Sequence, residues 1–241
     1  MRNHAARMIL VLWLTIATVT CAHATVELAD RQGNLIPIKE LHFIDENSKP
    51  VKLSDYSHGN TPLLISLVYY GCPGVCTQVL SGVFEGLRNT GLNAGKAFES
   101  VVISIDPDEH SGLALQKRLS YLREYGFGAT ATGFHFLVGE QTQISELASA
   151  LGFHYERLGK TGQFQHPAAL FVLSPDGHLV KTLSGARFTA RGLRLVIARA
   201  SSNEPSSVFE RMMNACTNRL PVANMRQWPA RLIASLAAML P

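Results

Sequence analysis

The stretch Pro62-Leu63-Leu64-Ile65-Ser66-Leu67-Val68-Tyr69-Tyr70-Gly71-Cys72-Pro73-Gly74-Val75-Cys76 changes character part-way along. Up to Tyr70 it is almost continuously apolar, as suits a strand covered on both faces of a sheet. Beyond the Gly/Pro turn the period becomes helical. Val79, Leu80, Val83, Phe84 and Leu87 recur at three- and four-residue spacing and predict a helix ending near Gly91. Working outward, Val101-Val102-Ile103-Ser104-Ile105 reads as a second buried strand, stopped by Asp106-Pro107-Asp108. Leu113 to Tyr125 reads as a helix, His135 to Val138 as a strand and Ile144 to Leu151 as a helix. Ala168 to Leu173 and His178 to Leu183 flank the turn Ser174-Pro175-Asp176-Gly177 as a hairpin, and a helix follows over Thr189 to Ala200. Upstream, Leu35-Ile36-Pro37-Ile38, His42-Phe43-Ile44-Asp45 and Val51-Lys52-Leu53, with a polar turn over Glu46 to Pro50, predict one or two hairpins leading into the domain. This order of elements makes an α/β sandwich around a central mixed sheet.

The ends of the chain read differently. Arg2 and Arg7 precede the apolar run Met8 to Val19, and Ala22-His23-Ala24 follows it. That is the layout of a secretory signal peptide, residues 1–24, cut before Thr25. The run is shorter than the roughly 17–25 residues that cross a bilayer, and an uncleaved anchor is the alternative. Either way the folded part, residues 25–203, is expected to be exported and to work in the periplasm, where association with the inner membrane is open. Residues 204–241 are expected to make a short helical tail: Val208 to Ala215 reads as a helix, then comes an apolar segment from Leu232 to Leu240, too short to span a membrane but able to lie on its surface. The formal charge of +4, less the two charges of Arg2 and Arg7, is +2, too weak and scattered for nucleic acid.

Without the leader three cysteines remain, Cys72, Cys76 and Cys216, too few for a disulfide-stapled scaffold. Cys72 and Cys76 fall where the buried strand gives way to the helix. Their four-residue spacing puts both on one helical face, and Pro73 fits a first helical turn. The positive end of the helix dipole favours anionic sulfur there. Two such thiols form a disulfide or grip a soft metal. Thioredoxin-type redox pairs carry two intervening residues, and the third one here widens the site. Cu(I) takes thiolates readily and imidazole suits copper as well, so a histidine ligand would turn a redox pair into a metal site. His166 is the candidate, since Pro167 biases it to an extended conformation at the entrance to the strand Ala168 to Leu173.

The stretch Leu67 to Leu80, the strand Val101 to Pro107, and Gly162-Gln163-Phe164-Gln165-His166 followed by Leu173 to Gly177 resemble the Sco (SenC/PrrC) family of copper chaperones for cytochrome c oxidase assembly. The resemblance covers roughly Leu53 to Ala200. It implies a thioredoxin-like fold and copper, as Cu(I) or Cu(II), held by Cys72, Cys76 and His166. It also implies that Asp106 supports the ligands from behind. Tyr69 and Tyr70 either line the copper pocket or pack in the core. The implied partner is the copper-bearing subunit of cytochrome c oxidase, with another copper chaperone or a thiol reductant as further partners. This chain departs from the pattern at Gly74 and Thr77, where many members carry Asp and a second Pro. Its tail has Asn214-Ala215-Cys216-Thr217-Asn218 where a bacterial branch carries a Cys-Tyr-His motif before a spanning helix, so Cys216 is read as a free or buried thiol.

The expected role is binding and transfer rather than catalysis. The alternative is an extracytoplasmic thiol–disulfide oxidoreductase using Cys72 and Cys76 as its redox-active pair. A peroxidase of the peroxiredoxin type would need a Thr-containing active-site turn that is not evident. His135 and His154 are expected to pack within apolar runs, and His42, His58, His110 and His178 to be exposed.

Overall fold

The computed structural model describes residues 28–72, 74–128, 131–159 and 162–202, and the backbone alone for Val75 and Cys76. The predicted signal peptide, the C-terminal tail and Cys216 lie outside the described residues.

Five strands form the central sheet: β3 (Leu63–Val68), β4 (Glu99–Ser104), β5 (Phe134–Leu137), β8 (Ala169–Leu173) and β9 (Leu179–Ser184). Their order is β5-β4-β3-β8-β9. β3, β4 and β5 run parallel, while β8 is antiparallel to β3 and β9 to β8. Every residue of β3, β4 and β8 is buried, which is why their sequences are apolar runs rather than alternations. The helices are α1 (Val75–Arg88), α2 (Ser111–Glu124), α3 (Gln141–Leu151) and α4 (Ala190–Ser201). The expected sandwich around a mixed sheet is the fold observed.

Phe84 on α1 anchors the aromatic part of the core. Its ring lies 4.9–6.2 Å, centroid to centroid, from Tyr121 and Tyr125 at α2, from Phe127, and from Phe134 and Phe136 on β5. On another side α1 packs against the loop that leads from β9 into α4, with almost no space between backbones. A Cβ on Gly82 would stand 1.9 Å from the Ala186 carbonyl oxygen, and one on Gly86 2.7 Å from that of Phe188. Two glycines one turn apart therefore set how deeply α1 seats.

The hairpin of β1 (His42–Ile44) and β2 (Pro50–Lys52) protects the β5 edge. Ile44 and Val138 exchange backbone hydrogen bonds of 2.8 and 2.9 Å. Next to them the Glu46 carboxylate accepts from the Phe136 N–H at 3.0 Å, and Arg118 donates to the Phe134 carbonyl at 2.7 Å. Arg118 also pairs with Glu46 at 3.1 Å. An ion pair thus supplies the hydrogen bonds that a further strand would make, and the edge is not left open.

Of the one or two N-terminal hairpins expected, one forms, and Leu35 to Ile38 pairs elsewhere: Leu35 bridges His178, and the Ile36 N–H donates to the Gly177 carbonyl at 2.9 Å. Two expectations need correction. A second hairpin, β6 (Glu156–Leu158) with β7 (Gln163–Gln165), is present where none was expected. His154 is exposed rather than packed, because the chain leaves α3 through left-handed Gly152 and turns Phe153 inward instead. His135 does pack, with its Nε2 2.9 Å from Glu99 and its ring 4.1 Å from that of Tyr56. Among the described residues no helix is long and apolar enough to cross a membrane.

Gly82→Ala is expected to lower stability by about 1–3 kcal/mol or more, since backbone faces the new methyl and no flexible side chain can yield. At roughly 2–4 °C per kcal/mol for a domain of this size, the shift is readable in a thermal melt; an unchanged midpoint would mean that α1 and the loop before α4 are not so closely apposed.

Candidate metal centre

The position of the site follows from strand direction. Leu63 faces Leu173, Leu64 faces Val172 and Ile65 faces Phe171 across the antiparallel β3/β8 ladder. Carrying that register forward brings the residues after Val68 alongside those before Ala169. The Tyr69 and His166 rings accordingly meet edge-on with centroids 6.1 Å apart.

Between β3 and α1 the chain makes a tight turn from Tyr69 to Cys72, closed by the Cys72 N–H donating to the Tyr69 carbonyl at 3.3 Å. The Glu109 carboxylate accepts from the N–H groups of both central residues, Tyr70 at 2.8 Å and Gly71 at 2.6 Å. The Ser104 hydroxyl donates to the same carboxylate at 2.5 Å. Of the two readings for Tyr70, core packing is observed. Its ring is buried beside Phe136, and its hydroxyl lies 2.7 Å from the Leu137 carbonyl and 3.0 Å from that of Val102. Burial pushes the phenol well above its ordinary range, with the nearby Glu109 charge adding to the effect. Tyr69 is the tyrosine that faces His166.

Cys72 is buried, and its sulfur receives the Gly74 N–H at 3.4 Å just before α1 begins. The Thr77 hydroxyl donates to the Cys72 carbonyl at 3.4 Å. A sulfur at the mouth of a helix, met by a backbone N–H, is an environment that favours negative charge. Cys76 lies in the first turn of α1, and its side chain falls outside the described residues. Among the described residues no group of three or more His, Cys, Asp or Glu side chains is arranged to hold a metal.

His166 follows β7 and is half-buried between Tyr69 and Phe153, whose ring is 5.7 Å away. Its Nδ1 lies 2.9 Å from the Pro167 carbonyl. That oxygen can only accept, so Nδ1 carries the proton and Nε2 is the nitrogen able to bind a metal. Burial lowers the imidazole below its ordinary 6.5, against a smaller upward pull from the Pro167 hydrogen bond. The ring is therefore neutral at neutral pH.

Asp106 ends β4 as a turn residue. One of its oxygens accepts the Asp108 N–H at 3.0 Å and lies 3.3 Å from Arg157 on β6, while Asp108 takes the same guanidinium at 2.7 Å. Arg157 also lies over the Phe164 ring at 5.2 Å. The loop after β4 is thus tied to the hairpin that delivers His166. A cleft of about 390 Å³ opens beside this hairpin, lined by Pro107, Ser145, Phe153, Tyr155, Arg157 and Phe164. Reading by residue type passed over Glu109 and Arg157. The carboxylates around Asp106-Pro107 were the available signal, but sequence gives no direction to a side chain in a turn.

A mixed sheet whose central strand passes through a cysteine turn into a helix, with a histidine entering the antiparallel neighbour, defines a thioredoxin-like domain. The SCO1/SenC family model matches residues 30–199, and the chain belongs to that family. Comparison with curated proteins by sequence gives no match. Among solved structures, a protein from Aquifex aeolicus VF5 superposes with a TM-score of 0.61 at 19% identity, covering 73% of this chain and 96% of its own. ScoI from Bradyrhizobium japonicum, solved with copper bound, has a TM-score of 0.52 at 24% identity over 68% of this chain and 97% of its own. BsSco, a member of the Sco family of cytochrome c oxidase assembly proteins, has a TM-score of 0.54 at 17% identity over 74% and 99%. At these identities the likeness is one of fold.

The His166 shift gives a signed expectation. A folded value below the unfolded one contributes stability that is present above about pH 6.5 and lost as pH falls through the lowered value. In metal-free protein, the drop in urea midpoint between about pH 7.5 and about pH 5.5 should be smaller in His166→Phe than in the wild type. Equal drops would show that His166 is not held neutral by burial.

Proposed function

We propose that the chain is a copper-binding metallochaperone that holds one copper ion through Cys72, Cys76 and the Nε2 of His166. It delivers that ion to, or prepares, the copper site of a respiratory cytochrome c oxidase. The observation that carries the reading is that the cysteine turn and the segment entering β8 lie at one end of the β3/β8 pair, where the Tyr69 and His166 rings meet; the Cys72 sulfur stands at a helix mouth and the imidazole is held neutral. Membership of the SCO1/SenC family and the copper-bound Bradyrhizobium relative support it. The predicted signal peptide places the work outside the cytoplasm.

In this reading copper is cargo. Cys72 and Cys76 bind Cu(I) as thiolates and lose their protons on binding, so affinity falls as pH drops. Three ligands leave an open direction from which a thiolate of the acceptor subunit can enter and replace them one at a time. A soft, low-coordinate ion suits such exchange, because the incoming sulfur is chemically equivalent to the one that leaves. Asp106 is assigned a supporting role through Arg157, which holds the β6–β7 hairpin and hence His166.

The rival is thiol–disulfide exchange by the same cysteines, and His166→Ala separates the two. Copper retained after reductive loading and desalting should fall from about one per chain to well below it, with affinity down at least about tenfold. Exchange with a small disulfide should persist. Unchanged copper stoichiometry together with lost exchange would reverse the assignment in favour of the oxidoreductase.

A further inference from the structure

We propose that Glu109 is the positioning residue of the cysteine turn, fixing where Cys72 presents its sulfur by holding the backbone that leads to it. The inference rests on Cys72 and Cys76 being the working pair assigned above.

In the turn from Tyr69 to Cys72, the central amides cannot pair with each other, and each needs an acceptor. Glu109 supplies both from one carboxylate, at 2.8 and 2.6 Å. Gly71 eases the closer approach, because a Cβ there would stand a tight 3.3 Å from the carboxylate oxygen. Ser104, fully buried at the end of β4, donates to the same carboxylate oxygen that accepts from Tyr70 and so helps fix its direction. The neighbouring carboxylates do not share this work, since Asp106 and Asp108 are engaged by Arg157. Tyr70 completes the clamp, its buried hydroxyl lying against the Val102 carbonyl within β4 and the Leu137 carbonyl at the end of β5. The turn is therefore gripped on its backbone by one side chain and through its own phenol by the sheet, and Cys72 is the next residue out.

A carboxylate that serves only the fold would look similar, and Glu46 is such a case: it accepts the Phe136 N–H at the β5 edge, away from the cysteines. The two roles differ in what their loss changes. Glu109→Asp keeps the charge but withdraws the oxygens by one methylene, so that both amides and Ser104 cannot be met together. A slackened turn lowers the effective concentration of one sulfur at the other. Both disulfide formation and two-sulfur metal binding then weaken.

The experiment compares wild type, Glu109→Asp, Ser104→Ala and Glu46→Gln in the intact protein. Cu(I) affinity is measured by competition with a chromogenic chelator, the Cys72–Cys76 reduction potential by equilibration with glutathione, and stability by thermal melting. Glu109→Asp should weaken Cu(I) binding about tenfold and raise the potential by about 30 mV, the equivalent of tenfold in the disulfide equilibrium. Ser104→Ala should move both readouts in the same direction by less. Glu46→Gln should lower the melting temperature and move neither. A lower melting temperature for Glu109→Asp with affinity and potential unchanged overturns the proposal while leaving the copper assignment intact. If the wild type binds no copper but the potential still shifts in Glu109→Asp, the copper assignment fails and the proposal stands. Should Glu109→Asp not fold, Ser104→Ala decides: a shift in potential supports the role, and no shift overturns it.

Discussion

Because β8 runs antiparallel beside β3, the end of one strand and the start of the other lie at a single end of the sheet, and residues far apart in sequence become neighbours there. Parallel pairing would have placed the entrance to β8 at the opposite end. Six residues of β3 at about 3.3 Å each would then separate the cysteine turn from the histidine by about 20 Å, beyond the reach of any side chain. The mixed topology is thus what brings the cysteine turn and the segment carrying His166 to one end of the sheet. The depth at which α1 seats against the loop before α4, set by Gly82 and Gly86, fixes the helix on which Cys76 stands.

A sheet buried on both faces leaves its polar demands at its edges and ends, and two carboxylates meet them. At the β5 edge Glu46, braced by Arg118, accepts a strand N–H that has no further strand to pair with. At the end of β3 Glu109 accepts two N–H groups of the turn. Each exchanges water for backbone donors, and a hydrogen bond to a charged acceptor contributes about 1.5–3 kcal/mol where a neutral one contributes about 1. The first secures the fold; the second acts on the chemistry, because the backbone it holds ends in Cys72.

Much of this was legible from residues alone, for physical reasons. Strands buried on both faces write themselves as apolar runs, so β3, β4 and β8 were readable, and the change of period after Cys72 marked the strand-to-helix junction. His166 was singled out by Pro167 and by its place before a strand, and the structure sets it beside Tyr69. Side-chain direction in turns was not legible. Glu109 and Arg157 lie among charged residues that sequence treats alike, and only the folded turn shows that one carboxylate points to the cysteine loop while two others meet a guanidinium. His154 was misread because a left-handed glycine resets which residue faces inward. The β6–β7 hairpin was missed because its strands are short and mostly exposed.

The central claim concerns the ligands of one copper ion, and X-ray absorption at the copper edge of reductively loaded wild-type protein tests it most directly. The account predicts a low-coordinate ion with two sulfur scatterers and one imidazole, the imidazole signal vanishing in His166→Ala. A shell of sulfur alone, or of oxygen and nitrogen without sulfur, would contradict it.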